Sequence, residues 1–292
     1  MKHCHVYLLF IFLLGACTNE ISINFDEFKP EIVVNCLFTE SEYFNVEVLT
    51  TKVVNDTSNC FVENALVSIY ALNSNESHNL PYLSEGFYAD TTFFPVIGQA
   101  YKIEVNVQGF ETLWAIDSLP AAPSVKINSL IKTSINLDKN EYLKVHDLNM
   151  TLADPPGINN YYRFEAYYRV PQKYPEENLF NGNHIWTNEP LIVTEIENQL
   201  IFCDQMFDGQ TFDIDCKVTC PVLDEVPLLF DIYIITLSQT FFDYEKKYYR
   251  HQYAYPDVFF PVEPIMMPTN IANGYGVFAG YSILKFSITQ SN

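Results

Sequence analysis

The chain has 292 residues and a formal net charge of −20 at pH 7, with 36 acidic residues against 16 lysines and arginines. Proteins that bind nucleic acid or anionic lipid headgroups need a basic surface, and this composition supplies none. Both kinds of binding are therefore excluded, and the acidic surplus predicts a well-solvated surface.

The first sixteen residues have the pattern of an export signal. Lys2 gives a short positive start, residues 6–14 are apolar, and Gly15 and Ala16 are the small residues that precede a cleavage site. Cys17 then completes a lipobox, in which the thiol receives a diacylglyceryl group and the signal (1–16) is removed. The apolar run is shorter than the roughly 20 residues of a membrane-spanning helix. We expect a mature protein that begins at Cys17 and is held at a membrane by lipid.

A polar segment and a series of short strands follow the signal. Residues 17–29 predict a lipidated tether. Between residues 30 and 119, stretches rich in β-branched and aromatic residues alternate with turn formers, with the period of half-buried strands. This pattern predicts an immunoglobulin-like β-sandwich over residues 30–119. The expected strands are residues 32–38, 44–51, 65–70, 86–89, 100–107 and 111–116.

The second half is also predicted to be mainly β-structure. Two prolines and small residues at 119–123 suit a linker. Residues 120–292 then predict a second β-sandwich-like domain, interrupted by a long irregular insertion at 171–190. The expected strands are residues 148–153, 161–169, 191–196, 211–218, 228–237 and 281–288.

One helix is predicted near residues 240–253. Thr240 and Asp243 have the spacing of a capping box. Phe241, Tyr244 and Tyr248 form an apolar stripe at helical spacing, so we expect all three to be buried against the second sandwich.

A glycine-rich segment precedes the last expected strand. Its glycines superficially match a dinucleotide-binding loop, but that loop needs a following helix, and a strand is expected here. Gly274 and Gly276 are instead expected to adopt turn conformations beside the predicted helix.

Five cysteines remain after export and lipidation, in a compartment that permits disulfides. Cys36 and Cys60 are a candidate disulfide within the first domain. One pair among the last three cysteines is expected, and which pair is left open: Cys203, Cys216 and Cys220. No histidine stands near these three, so a zinc site is not expected.

Four carboxylates gather within twelve residues of the second domain: Asp204, Asp208, Asp213 and Asp215. Calcium binding is one interpretation, but the spacing differs from an EF-hand loop. The favoured interpretation is a solvated strand face, with Asp213 and Asp215 outward and Phe212 and Ile214 inward. We predict no metal and no cofactor.

The two tryptophans are expected in different environments. Trp114 lies on a predicted strand and is expected in the core. Trp186 lies in a predicted loop, where it is a weak candidate for contact with a sugar or a protein partner. A core plug beneath the long insertion is the favoured alternative.

No enzyme signature is found in the sequence. It contains no G-x-S-x-G elbow, H-E-x-x-H motif or Walker loop, and its histidines are scattered. We therefore predict no catalytic residues. Asp90-Thr91-Thr92 and Asp117-Ser118-Leu119 resemble the O-glycosylation acceptor of Bacteroidota, and whether either is modified is left open.

Several motifs in a fixed order suggest a family. They are the lipobox and the segments 28–35, 64–70, 98–101, 109–112, 160–163, 207–210, 237–253 and 268–278. The chain resembles the Bacteroidota outer-membrane lipoproteins grouped as domain of unknown function 4249. Cys36 stands where these proteins often have glycine, a departure that a local disulfide with Cys60 would explain.

The resemblance implies an outer-membrane location, on the periplasmic face or the cell surface, and frequent association with TonB-dependent receptors. It supplies no catalytic residues. The favoured hypothesis is a non-enzymatic accessory or binding lipoprotein that works with a TonB-dependent transporter in nutrient uptake. A structural surface spacer or adhesion-type lipoprotein is the alternative, and a hydrolase with an unrecognised site is a minor one.

Overall fold

The computed structural model describes residues 28–53, 56–74, 76–138, 141–169, 185–192, 194–196, 199–221, 228–253 and 266–290. The predicted signal, Cys17 and the tether up to residue 27 lie outside these ranges. Within them the chain is mainly β-structure with a single helix, as the sequence predicted. No described helix is both long and apolar enough to cross a bilayer.

The strands of the first half follow the predicted alternation of apolar and polar residues. They are β1 (Ile32–Phe38), β2 (Asn45–Thr50), β3 (Leu66–Ala71), β4 (Glu76–Leu80), β5 (Tyr82–Ser84), β6 (Phe87–Ala89), β7 (Ala100–Asn106) and β8 (Leu113–Ser118). Two of them, β4 and β5, were not predicted.

The second half contains longer strands. They are β9 (Ser124–Asp138), β10 (Glu141–Ala153), β11 (Tyr161–Arg169), β12 (Ile185–Thr187), β13 (Thr194–Ile196), β14 (Gln199–Cys203), β15 (Thr211–Pro221), β16 (Leu228–Leu237) and β17 (Tyr275–Gln290). Here β9, β12 and β14 were not predicted. Most of the predicted insertion at 171–190 lies outside the described residues.

One sheet runs through both halves of the molecule. Its nine strands follow the order β13-β14-β11-β16-β17-β1-β2-β6-β5. Two four-stranded sheets, β4-β3-β7-β8 and β12-β15-β10-β9, pack over its two ends. The result is two β-sandwiches that share one sheet.

Alternating strands build the first core. On β1, alternate residues are buried in this core, while the residues between them face away; the buried ones are Ile32, Val34, Cys36 and Phe38. Ile69 on β3 and Ile103 on β7 meet them from the other sheet. Each fully buried side chain of this kind stabilises the fold by about 1.5–3 kcal/mol.

The predicted core position of Trp114 is wrong. Leu113 and Ala115 face the first core, so Trp114 between them lies on the outer face of β8, where it is 43% exposed. The ammonium of Lys102 stands 5.6 Å from the centre of the Trp114 ring. The register of the strand therefore overrides the usual preference of tryptophan for the core.

Strand β17 connects the two sandwiches. Its residues 275–280 pair in parallel with β1, and its residues 281–290 pair antiparallel with β16. Phe278 lies in the first core, whereas Leu284 and Phe286 pack against the second. The sandwich that was predicted over residues 30–119 therefore contains a strand from the other end of the chain.

The helix, α1 (Gln239–Tyr253), begins one residue before its predicted start. Its N-cap is Ser238, whose Oγ accepts a 3.2 Å hydrogen bond from the Phe241 backbone N–H. The capping role predicted for Thr240 is therefore wrong. The helix packs on the nine-stranded sheet together with Ile235 and Val277, on the face opposite the second core.

The aromatic stripe of α1 differs in part from the prediction. Phe241 is buried as predicted, but Tyr244 is half-buried and Tyr248 is 37% exposed. Phe242 and Glu245 occupy the buried face instead. Arg163 on β11 forms an ion pair with Glu245, with 2.8 Å between Nη1 and Oε2. The face of α1 that carries Glu245 therefore packs on the sheet, and Tyr248 faces solvent.

The glycine-rich turn before β17 belongs to the first sandwich. The turn is formed by Asn273, which has a φ of 63°, and Gly274. Gly276 has a φ of 109° but lies inside β17, where it pairs with β1, so the turn predicted at Gly276 is wrong. Gly274 does not have a positive φ. The space a Cβ at Gly274 would occupy adjoins Leu113 and Ile32, so it is close packing against the first sandwich that favours glycine there.

Candidate functional site

Trp186 lies on the outer face of the sheet β12-β15-β10-β9. Ile185 and Thr187 on either side of it are buried, which turns the indole outward. The residue is half-buried and belongs to strand β12, not to a loop. Both predictions for Trp186, a position in a loop and a position in the core beneath the insertion, are therefore wrong.

A groove of about 350 Å³ opens beside the Trp186 ring. Strands β10 and β15 supply one wall, and the loop that follows β12 supplies the other. Polar side chains dominate the lining, among them Asp147, Asn188, Glu189, Asp215 and Lys217.

Strand register fixes the first row of this face. Trp186 stands opposite Lys217, and Lys217 stands opposite Asp147. Lys217 Nζ donates a 2.6 Å hydrogen bond to Asp147 Oδ1. Because both side chains are exposed, the pair adds little stability, but it fixes where each charge lies.

A polar ladder continues across the next rows. Asn149 Nδ2 donates to Asp215 Oδ1 at 2.7 Å, and Thr151 Oγ1 donates to Asp213 Oδ1 at 2.5 Å. Asn128 Nδ2 donates to both Asn149 Oδ1 and Thr151 Oγ1, each at 2.7 Å. The prediction that Asp213 and Asp215 share the solvent face of their strand is confirmed.

The loop wall of the groove is tied to the sheet through Thr187. Its Oγ1 donates a 2.6 Å hydrogen bond to the backbone oxygen of Asp215 and accepts one of 3.1 Å from the Glu189 N–H. The Ile192 N–H in turn donates to the Glu189 oxygen at 3.1 Å. These bonds hold Asn188 and Glu189 beside the indole.

The other two predicted carboxylates join a partner that the sequence analysis missed. Asp204 and Asp208 lie with Asp154, and one oxygen of each falls within 4.8 Å of the others. Oxygen ligands are the type that calcium prefers. The predicted group of four carboxylates is thus divided between two places.

Backbone amides account for the geometry of this carboxylate cluster. The Asn160 N–H donates to Asp204 Oδ2 at 2.7 Å, the Gly209 N–H to Asp154 Oδ2 at 2.9 Å, and the Gly157 N–H to Asp208 Oδ1 at 2.8 Å. Burial raises the pKa of Asp204 above its ordinary value, and the neighbouring carboxylates add to the increase. The cluster fastens two loops together at the end of the second sandwich.

The expected disulfide between Cys36 and Cys60 is not formed, since both thiols are free. The Cys60 oxygen accepts a hydrogen bond from Thr50, and Thr50 pairs with Ile32 on β1. Cys36 lies four residues further along β1, roughly 13 Å away at 3.3 Å per residue. A disulfide needs Cα atoms within about 7 Å, so the strand register prevents this pairing.

The remaining three cysteines are also free. Cys216 and Cys220 lie four residues apart on the inner face of β15, while Cys203 lies among the side chains near α1. The expectation of a disulfide among these three is therefore wrong. Cys203 lies in a different hydrophobic core from Cys216 and Cys220, and those two are separated by four residues of one strand.

Cys220 contacts a buried histidine. Its Sγ lies 3.9 Å from His146 Nδ1. Burial raises the pKa of Cys220 to about 11 and lowers the pKa of His146 to about 4. Both groups are neutral near pH 7, whereas a nucleophilic pair needs a thiolate beside an imidazolium.

The two glycosylation-like motifs occupy different settings. Thr91 is exposed in a turn, where Asp90 Oδ1 accepts hydrogen bonds from the N–H and the hydroxyl of Thr92. Asp117 is instead engaged by Ser238, and the neighbouring Ser118 is exposed.

Sequence analysis missed Asp147, Asn149 and Lys217 as parts of one surface. The signal was available, because Asp147 and Asn149 alternate with the apolar Leu148 and Met150. This period of two places both polar side chains on one face of a strand. Their contact with Trp186 was not available, because it depends on pairing across distant strands.

These features define a mainly β protein of two sandwiches on a shared sheet, with a polar, tryptophan-bearing outer face. Its sequence matches the family described as Domain of unknown function (DUF4249) over residues 18–287. The chain belongs to this family, and the resemblance is confirmed. Among curated proteins, none matches the sequence.

Solved structures give distant matches. One is the adhesin CfaE of enterotoxigenic E. coli, with 7% identity, a TM-score of 0.24 and coverage of 87% of this chain and 86% of that one. Another is the Ig1-Ig2 part of Dpr2 in complex with DIP-Theta, with 11% identity, a TM-score of 0.18 and coverage of 70% and 59%. A third is the trypsin-activated alpha-2-macroglobulin of Escherichia coli, with 10% identity, a TM-score of 0.20 and coverage of 72% and 15%.

Proposed function

We propose that this protein is an outer-membrane-anchored lipoprotein that acts as a non-enzymatic binding or accessory component of a TonB-dependent transporter in nutrient uptake. The observation that carries the proposal is the lipobox ending at Cys17, which a polar tether separates from the first strand at Ile32. A lipid anchor of two or three chains gives stable attachment.

A binding role is supported by the positions of the two tryptophans. Trp114 and Trp186 lie on the outer faces of the two four-stranded sheets. Tryptophan is enriched at recognition surfaces, since it combines a large apolar area with a hydrogen-bond donor.

Capture from the outer membrane tests the partnership. The full-length protein, tagged at its C-terminus and expressed in its own host, is recovered from detergent-solubilised outer membrane. We expect a TonB-dependent receptor to be recovered in near-equal amount. Recovery without such a receptor would contradict the proposed partnership. Cys17→Ser is the matched control, because it removes the anchor without altering the folded surface.

A structural spacer is the second candidate, and the shared nine-stranded sheet favours it. A continuous sheet joins both sandwiches stiffly, as a spacer requires. Deletion of the protein under nutrient limitation separates the two functions. An accessory protein should slow uptake when it is deleted, whereas a spacer should leave uptake unchanged.

A further inference from the structure

We infer that the groove beside Trp186 binds a neutral saccharide. The inference rests on the proposed binding role and adds the ligand class and the site. Three features of the groove support it: the indole, the mixture of donors and acceptors, and the local charge.

The indole provides an apolar platform that is already positioned. Buried Ile185 and Thr187 fix the backbone on either side of Trp186, and Thr187 Oγ1 anchors the strand to Asp215. A half-buried ring on a fixed backbone has less conformational freedom to lose when a ligand stacks on it. The C–H face of a sugar ring offers the matching apolar surface, and the hydroxyls around its edge remain free for polar contacts.

The polar lining suits hydroxyl groups, each of which both donates and accepts a hydrogen bond. Described neighbours engage Oδ1 of Asp147 and Oδ1 of Asp215. The second oxygen of each carboxylate is an acceptor for a ligand hydroxyl. Lys217 and the exposed amide of Asn188 supply donors on the same groove.

The local charge of the groove determines which class of ligand it can bind. Three carboxylates line the groove, from Asp147, Glu189 and Asp215, against the single ammonium of Lys217. This excess repels phosphorylated and carboxylated ligands. Lys217 already binds one oxygen of Asp147, and Asn149 binds one oxygen of Asp215. These hydrogen bonds reduce the attraction of the groove for a second cation. A volume of about 350 Å³ accommodates one or two sugar rings.

Fluorescence of the indole tests the site directly. The chain contains two tryptophans, so Trp114→Phe leaves Trp186 as its only indole. The full-length variant is titrated with maltohexaose, cellohexaose, xylohexaose and mannohexaose. A galacturonate hexamer and spermidine serve as the anionic and cationic comparison ligands. We expect a saturable change with at least one neutral oligosaccharide and none with the two charged ligands.

Calorimetry on matched variants assigns the binding. Trp186→Ala should weaken the Kd by at least about tenfold, and Tyr82→Ala, at an exposed aromatic side chain on β5 of the first sandwich, should leave it unchanged. Asn188→Ala changes an exposed side chain and should weaken the Kd by about threefold even if Trp186→Ala misfolds. The inference is overturned if no neutral oligosaccharide binds at millimolar concentration, if spermidine is preferred, or if the affinity is insensitive to both groove variants.

Capture of the receptor is measured in parallel. If the wild-type protein recovers a TonB-dependent receptor but binds no saccharide, only the groove assignment fails. If saccharide binds and no receptor is recovered, only the partnership fails.

Discussion

Asp117 and Ser238 share a 2.6 Å hydrogen bond in which Ser238 Oγ donates to Asp117 Oδ2 across 121 residues of sequence. Ser238 is also the N-cap of α1. The Gly280 N–H donates to the same carboxylate oxygen at 3.3 Å. One side chain of β8 therefore ties the first sandwich to the helix and to β17.

Asp117→Asn should change how stability depends on pH. Burial raises the pKa of Asp117 to about 6 from an ordinary value of 3.8, although hydrogen bonds oppose the increase. Between these values the folded state holds a proton that the unfolded chain has released. This group therefore makes the folded state less stable as pH rises from about 4 to about 6, with no further change above that.

Urea unfolding between about pH 4 and about pH 6 tests the direction of this change in stability. The wild type should lose stability relative to Asp117→Asn as pH rises. Thr91→Ala, at an exposed residue that does not titrate, should give a curve parallel to the wild type. A constant difference between Asp117→Asn and the wild type would contradict the pKa assigned to Asp117.

Arg163→Met should destabilise the protein by about 3–5 kcal/mol. Arg163 Nε lies 2.9 Å from Glu165 Oε1, and its Nη1 lies 2.8 Å from Glu245 Oε2, with all three side chains mostly buried. Removing the arginine leaves two carboxylates without their cation beneath the helix. Chemical denaturation measures the loss. Arg250→Met, at an exposed position on α1, should change stability by less than about 0.5 kcal/mol.

Gly276→Ala should be far more damaging than Gly109→Ala. Both glycines have positive φ, 109° and 89°, so both substitutions strain the backbone. Only at Gly276 would the new methyl group collide with the Val34 carbonyl, where β17 pairs with β1. Gly109 has nothing within 4 Å of that position. We expect Gly276→Ala to cost at least about 2 kcal/mol more, measured as unfolding free energy. Equal losses would mean that strain alone is responsible.

Cys17→Ser should abolish lipid anchoring. In the proposed lipobox the Cys17 thiol receives the lipid, and a serine hydroxyl cannot replace it, so the variant should remain an uncleaved or soluble precursor. Membrane fractionation and intact mass report the outcome. A variant that still fractionates with the membrane and matures to the wild-type mass would refute the lipobox.

The strands were predictable where one face is clearly apolar. Residues 101–107 alternate strictly between apolar and polar, and β7 (Ala100–Asn106) forms there. The run Leu113-Trp114-Ala115-Ile116 is apolar on both faces, so periodicity could not decide which face is buried. Register with β7 decides it, because Val105 pairs with Leu113 and places Trp114 outside.

The candidate site was predictable only in pieces. Trp186 and the outward Asp215 were both identified from the sequence, but their proximity follows from the pairing of β12 with β15. Asp154 was not predicted as part of the carboxylate cluster for the same reason. It lies fifty residues before Asp204, and the fold brings the two together. Local patterns determine the direction of a side chain, whereas its distant neighbours depend on sheet topology.

The shared strand has a consequence for the biogenesis of the protein. A chain synthesised from its amino end presents β1 long before its parallel neighbour in β17. Until then β1 has an open edge, a feature that favours pairing with other chains. The first sandwich therefore cannot be completed until residues 275–280 have been synthesised. A protein truncated before residue 275 would lose a central strand from both sandwiches at once.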